Sequence, residues 1–315
     1  MTKSLGAKRV VIIGAGPAGL TAAYQLCRHT IPSIIVERQA LVGGHARTEQ
    51  FQGFRVDIGG HRFFTKVEAV NHLWQEVLGE AFTTVPRLSR IYFHGNFFHY
   101  PLRLPNMLRG LGLIESGWIL LSYVQARLFP YREEQNLEQW MCNRFGTRLY
   151  RTFFKTYTEK VWGMSCTHLQ ADWAAQRIKG LSLSSAVRNA LSPWKGTTVK
   201  SLIDQFSYPR FGPGMMWQAI REIVEAHGNP VRLNTEVIQM QRIEHRMTSV
   251  TVRCGEREEV IPGTHFISSM PLRLALTHMT PPPPDHILDA ARKLRHRDFL
   301  VVVLVVNQQE LFPDN

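Results

Sequence analysis

Residues 9–13, RVVII, form an apolar run with β-branched side chains at each of its last four positions, stopped by Gly14. A run that apolar throughout reads as a strand of a parallel sheet covered on both faces. The pattern then changes to helical spacing over 18–28 and returns to an apolar run at 33–36, so strand, helix and second strand follow in close order. Farther on, 54–58 reads as a short strand and 67–78 as a helix. RIYFHGNFFHY at 90–100 reads as an aromatic hairpin joined around Gly95 and Asn96 and ended by Pro101 and Pro105.

From 106 to 191 the pattern is largely helical and without repeats. The stretch 111–129 is rich in apolar residues but interrupted by Glu115, Ser116, Ser122 and Gln125, which makes it an amphipathic helix over a core rather than a membrane span, with a membrane-surface position as the alternative. FGTRLYRTFFKTYTEKVW, 145–162, alternates aromatic and basic residues, as a helix with an aromatic core face and a solvated basic face would. After 206 come a glycine and proline loop at Gly212–Gly214, a helix over 215–227, and strands over 231–237, 238–242 and 249–254, the last followed by a glutamate-bearing turn. Pro281–Pro284 is a stiff linker. FLVVVLVV at 299–306 predicts a strand covered on both faces.

Chemistry enters at the first turn. Gly14, Gly16 and Gly19 stand at G-x-G-x-x-G spacing between strand and helix, where a tight turn, backbone approach to a pyrophosphate and close helix–strand packing each require glycine. The helix N-terminus behind them offers N–H groups and a positive dipole end to phosphate. Glu37 closes the second strand 18 residues beyond Gly19, where a carboxylate accepts from an adenosine ribose and repels a 2′-phosphate. A second loop, LVGGHART, carries Gly43, Gly44, Arg47 and Thr48; its glycines let backbone meet a bulky ligand, and Arg47 offers a planar fork to phosphate. In FRVDIGGHRFFTK, Gly59 and Gly60 let a loop run beneath a flat ring, and His61 follows at once. A histidine alone is more often a packed residue than an acid or base, and no partner for His61 is visible.

Composition narrows the classes. At 315 residues with 44% apolar and 20% charged positions, the chain can bury one large core or two smaller ones, and disorder is excluded as a class. The formal charge of +12 is scattered, with no basic run interleaved with aromatics, so nucleic acid is not an expected partner; a few arginines are left to serve a phosphate-bearing ligand. Cys27, Cys142, Cys166 and Cys254 have no C-x-x-C pairing and no metal spacing, which predicts reduced core residues in a cytoplasmic protein without a metal site. The first apolar run is the nucleotide-binding strand itself, not a signal peptide.

The strand, glycine loop, helix, acid and GG-x-x-R-T loop, in that order, resemble the FAD-binding flavoproteins that include amine oxidases, protoporphyrinogen oxidases and phytoene desaturases. GGHRFF, GNFFHYPL, LYRTFFKTYTEKVWG and Arg177-Ile178, in ordered blocks from Val10 to Ile178, are similar to UDP-galactopyranose mutases and their flavoprotein relatives. The resemblance implies FAD rather than NAD, held by Gly14, Gly16, Gly19, Glu37, Arg38, Gly44, Arg47, Thr48, Gly59, Gly60 and His61, with Val237 touching the adenine through its backbone. It places Arg103, Tyr157, Trp162 and Arg177 on the substrate side, Arg177 pairing with a diphosphate, and makes His61 and Arg177 the candidate catalytic residues. The small-molecule substrate is then a nucleotide sugar or similar anion acted on through the flavin N5. The alternatives are oxidation of the amine oxidase type and a non-catalytic FAD-binding fragment.

This chain departs from the mutases at Gly60 and Arg62 flanking the histidine, at Arg103 after the hairpin, and in a spacer between Trp162 and Arg177 longer by one residue. The implied fold class is α/β: a Rossmann-like FAD-binding domain with a parallel sheet, an inserted helical region, and part of a substrate-domain antiparallel sheet. The expected division is 1–70 for FAD, 71–210 for the hairpin and helical insertion, 211–271 for the return to the FAD domain, and 272–315 for the start of the substrate sheet. Family members continue beyond that sheet strand, which implies an N-terminal portion of a longer protein.

Overall fold

The computed structural model describes residues 8–86, 90–99, 104–172 and 205–308. These fall into two compact units, one made of 1–85 with 206–315 and the other of 86–205. The first is built on a four-stranded parallel sheet in the order β13-β1-β2-β9, from β1 (Val10–Ile13), β2 (Ser33–Val36), β9 (Val231–Arg232) and β13 (His265–Ser268). The fold class is thus the expected mixed α/β one, with helices on the parallel sheet and a second, antiparallel sheet.

β1 explains why its residues are apolar without interruption. Val10 and Ile12 enter a core with helix α1 (Pro17–Arg28) and, from the far end of the chain, helix α7 (Gly214–Ala226). Val11 and Ile13 enter the opposite core, with β10 (Glu236–Ile243), β11 (Arg246–Cys254) and β12 (Arg257–Pro262). Successive strand residues point to opposite faces, so a strand buried twice over can spare no position for a polar side chain. Asn229, buried beyond α7, locks the two chain halves together by accepting from Ser33 N at 2.6 Å and donating to Cys27 Sγ at 3.1 Å.

The antiparallel sheet differs from the sequence expectation. The boundary placed between 237 and 238 is not a strand end: the chain turns at Leu233–Thr235 with Asn234 at φ +50, and β10 runs through 238 as one strand whose register against β11 shifts between Val237 and Gln239. Apolar periodicity carries across a short turn, so it could not mark this break. β12 follows the glutamate-bearing turn, and β14 (Met279–Thr280) pairs parallel to β10. Helices α8 (Leu272–Thr277) and α9 (Asp285–Lys293) flank β14.

Phe299–Val306 overturns its expectation. It forms no strand and is exposed along its length, Leu300 to 86%. β-branched composition fits a pleated surface but does not create one: a strand exists only within a ladder, and no strand pairs with this run among the described residues. Cys254 is likewise exposed, against the expectation of a core position, whereas Cys27, Cys142 and Cys166 are buried and free.

The first unit also holds α2 (Glu68–Leu78), the hairpin β3 (Thr48–Phe51) and β4 (Phe54–Asp57), and a two-stranded pair of β5 (Phe82–Pro86) with β8 (Gln205–Pro209).

The second unit contains the aromatic hairpin β6 (Arg90–Phe93) and β7 (Asn96–His99). Its turn is His94–Gly95, both at positive φ, so Asn96 belongs to the strand rather than to the turn. Two left-handed residues match the twist of a tight hairpin. Helices α3 (Leu104–Leu128) and α4 (Leu137–Phe145) follow, then α5 (Thr147–Leu149), a π-helical turn at Tyr150–Lys155, and α6 (Thr156–Trp162). Asn136 caps α4 by accepting from Gln139 N at 3.0 Å. The aromatic face expected over 145–162 is buried as Phe145, Tyr150 and Phe153 against Phe98, Trp140 and Cys166.

Candidate functional site: a dinucleotide cradle

The first glycine leaves β1 at φ +99, a conformation open to glycine at little cost, and its N–H donates to Val36 O at 2.8 Å. A Cβ at Gly14 would lie 2.3 Å from Ser269 Oγ, and one at Gly19 would lie 1.9 Å from the Gly14 carbonyl oxygen. The third glycine therefore lets α1 sit directly against the turn. The helix starts at Gly16 with no side-chain cap and with Pro17 in its first turn, so the N–H groups of Ala18 and Gly19 lack an intrahelical partner.

The second loop closes on the first. Gly43 N donates to Ala15 O at 2.8 Å, and a Cβ on Gly44 would stand 3.2 Å from the Gly16 Cα. Two backbones meet there with no side chain between them, which is the shape a pyrophosphate needs. Glu37 is buried at the end of β2. Its Oε2 accepts from Ala15 N at 2.8 Å and its Oε1 from Gln39 N at 2.9 Å, which fixes the carboxylate beside the turn with lone pairs to spare for ribose hydroxyls.

Arg47 is less free than its sequence position suggests. Its Nε donates to Glu49 Oε1 and its Nη1 to Gly44 O at 3.3 Å, leaving part of the fork open. Thr48 Oγ1 donates to Asp57 Oδ1 at 2.9 Å and accepts from Gly214 N at 3.0 Å, while Tyr208 donates its phenol to Asp57 Oδ2 in a short hydrogen bond. This latch ties the second glycine loop to the chain returning near residue 210. Sequence reasoning missed Asp57, Tyr208 and the role of the Gly212–Gly214 loop, where a Cβ on Gly212 would strike Thr48 Oγ1 at 2.3 Å. The G-P-G spacing was a signal, but its partner lies more than 150 residues away in the chain.

Burial and, second, the Asp57 bond push the Tyr208 phenol up from its ordinary value. A raised pKa means that the folded chain holds the proton more tightly, so this contribution to stability is complete below about pH 10 and is lost as pH rises through the folded value. Tyr208→Phe is expected to cost about 1 kcal/mol at neutral pH and to flatten the alkaline fall in stability. Urea melts from neutral to alkaline pH measure both, and an alkaline limb as steep as that of the parent chain would remove Tyr208 from it.

Beyond β4, His61 N donates to Gly59 O at 3.1 Å in a tight turn. The ring Nε2 is buried with no hydrogen-bond partner, and a Cβ on Gly60 would meet nothing within 4 Å. An orphaned nitrogen beside a bare glycine suits a flat ligand laid over this loop. Arg38 lines a surface recess of about 280 Å³ with Gln39, Asn234, Glu236, Arg253 and Gly255. Thr235 N donates to Glu37 O at 2.8 Å, which carries the chain into β10 beside the acid. The β10–β11 ladder shifts register just past Val237.

In the helical unit, Tyr157 and Trp162 both lie on α6, Tyr157 with 70% of its surface open. Arg103 and Arg177 lie outside the described residues.

A family model described as flavin containing amine oxidoreductase matches residues 17–309. The chain belongs to this family. FAD, the cofactor expected from the glycine loops and Glu37, is the one the family carries. The chain is 31% identical over 173 residues to a probable UDP-galactopyranose mutase of Klebsiella pneumoniae, covering 52% of this chain and 43% of that protein. To a putative flavin-containing monoamine oxidase of Mycobacterium tuberculosis it is 25% identical over 244 residues, 72% of this chain and 53% of the other. Among solved structures, a reduced UDP-galactopyranose mutase superposes with a TM-score of 0.77 at 22% identity, over 91% of this chain and 60% of that one, a likeness of fold. The chain spans about half the length of the curated relatives it matches. No helix among the described residues is long and apolar enough to cross a membrane.

Proposed function

We propose that this chain forms the FAD-holding part of a flavoenzyme that acts on a nucleotide sugar or a similar anionic substrate. In this reading Gly14, Gly16, Gly19 and Gly44 bring backbone to the pyrophosphate, and Glu37 accepts from the ribose. Arg38 and Arg47 supply cations at the rim, and Val237 offers backbone to the adenine. Thr48 acts by bracing the loop, its hydroxyl latched to Asp57 and to Gly214 N. Gly59, Gly60 and His61 form the floor under the ring, and the chain divides into an FAD part and a helical part that supplies the substrate side. When bound, FAD supplies reversible two-electron chemistry and, once reduced, a nucleophilic N5.

The observation that carries the proposal is the union in one chain of the bare glycine cradle with a 31% identical stretch of a probable sugar-nucleotide mutase. Arg177 is the proposed diphosphate clamp, since a guanidinium fork meets phosphate with paired charge-assisted hydrogen bonds. Tyr157 and Trp162 are the proposed sugar-packing faces. His61 is assigned to ring contact, its buried Nε2 having no hydrogen-bond partner among the described residues.

Arg177→Ala is expected to weaken UDP-sugar binding by about 100-fold, the loss of a charged bidentate contact, with FAD content unchanged. Calorimetric titration with UDP-galactose beside the visible flavin spectrum reads both quantities, and undiminished affinity would remove Arg177 from the role. The amine oxidase reading is favoured by the monoamine oxidase relative. Oxygen uptake with an amine panel, set against UDP-sugar conversion that requires prior flavin reduction, separates the two.

A further inference from the structure

α3 is amphipathic, but it faces the wrong way for a helix that merely covers a core. A kink at Gly112, at φ +80, separates a straight segment running from 113 to 128, about 24 Å long. Its inward side carries Glu115, Ser116, Ile119, Ser122 and Ala126. Apart from Ile119, which enters the core of this unit, the inward side is small or polar where another backbone presses on it: a Cβ on Gly146 would lie 2.8 Å from Tyr123 N and Cα, and Ser122 Oγ accepts from Arg148 N at 3.1 Å. Its outward side carries Leu113, Ile114, Trp118, Leu121, Val124 and Leu128, with Ile114 at 81% and Leu128 at 68% exposure. Phe129 and Tyr131 continue the apolar surface past the helix end. A continuous apolar face of this length on the solvent side of a surface helix is a docking feature rather than a scatter of exposed residues.

Charge says what docks. Glu115 is the only acid between 104 and 132, and it is turned inward, gripped by both Arg148 Nε and Nη2 at 2.7 Å. That removes negative charge from the face. Arg127 lies on the segment, Arg109 just before the kink and Arg132 just past the helix end; all three are exposed, and Arg148 lies 5.9 Å from the Trp118 ring. Apolar residues in the middle, aromatics at the margin and long cationic side chains able to reach outward suit the boundary between acyl chains and anionic headgroups. Two copies of a +12 chain would instead bring like charges together along the same edges.

We propose that the outward face of α3 lies on an anionic lipid surface. The helix rests in the headgroup plane with Leu121 at the centre of its buried stripe, and it does not span the bilayer. This holds whichever reaction the flavin site performs.

Flotation with vesicles of phosphatidylcholine, alone or mixed with phosphatidylglycerol, tests it, with sedimentation velocity of the same samples lacking lipid. The chain is expected to partition onto the mixed vesicles about tenfold more than onto the neutral ones. Ile114→Gln with Leu121→Gln is expected to lower that partition by about tenfold at an unchanged melting temperature, since both side chains are solvent-exposed. Arg127→Glu should reduce binding to the mixed vesicles alone. Equal partition onto both lipids, or binding indifferent to the glutamine pair, overturns the proposal. So does a dimer that the glutamine pair converts to monomer, which would make the face a contact between copies.

Discussion

Gly19→Ala is expected to strip the chain of flavin. The added methyl would lie 1.9 Å from Gly14 O, 3.1 Å from Gly14 C and 3.2 Å from Ile12 Cγ2. None of these is the free end of a flexible side chain. The Gly14 peptide is held by its N–H bond to Val36 O at 2.8 Å, so α1 has to withdraw from β1 instead. Withdrawal opens the core around Leu20, Ala23, Tyr24 and Cys27 and moves the helix N-terminus off the pyrophosphate position. Overpacking of this kind costs about 3 kcal/mol, a fall in melting temperature of roughly 6–12 °C. FAD retained through gel filtration should drop at least tenfold, on the order of 1.4 kcal/mol or more of binding. A parental melting temperature with stoichiometric flavin absorbance would show that the close approach of α1 to the turn is not needed.

Glu37→Ala should give the second largest effect, and by two separable routes. Without ligand, it leaves Ala15 N, buried beneath the turn, without its acceptor, and this costs about 1–3 kcal/mol. With FAD, it also removes the proposed ribose acceptor, and the loss of a charged hydrogen bond is expected to weaken affinity by about 10- to 100-fold. Glu37→Gln separates the routes only partly, because its amide nitrogen would face one of two N–H donors, Ala15 or Gln39. Melting of the FAD-free protein reads the first route and flavin titration the second. Lost stability with undiminished FAD affinity would confine Glu37 to bracing the loop.

These predictions rest on features of very different legibility in the sequence. The nucleotide turn is local: Gly14, Gly16, Gly19 and Glu37 lie within one strand–helix–strand unit, and each residue type answers to a constraint set by its near neighbours in the chain. Reading them requires only spacing. Thr48 shows the opposite case. Its place in GG-x-x-R-T puts it in the second glycine loop, but spacing does not reveal that its hydroxyl bonds Asp57 and Gly214. Glu49, which takes up the Arg47 Nε, was in plain view two residues away, but i to i+2 pairing depends on the strand geometry that follows the turn.

Apolar runs show where pattern reasoning stops. Residues 10–13 and 299–306 are both continuous and β-branched, and the same rule predicts a strand for each. Only the first has neighbours, Ser33–Val36 on one side and His265–Ser268 on the other, to complete its ladder. For 111–129 the sequence specified a helix with two unlike faces but not which face would turn inward.

The sequence by itself determined the parallel strand–turn–helix unit, the glycine spacing of its turn, the carboxylate that ends its second strand and its kinship with flavoproteins, because those depend on short-range geometry and residue type. Only the tertiary structure decided the Thr48–Asp57–Tyr208 latch, which of the two apolar runs found neighbouring strands, and the outward apolar face of α3. Each of these joins residues far apart in the chain, or depends on which of two surfaces finds a partner, and no local propensity encodes that choice.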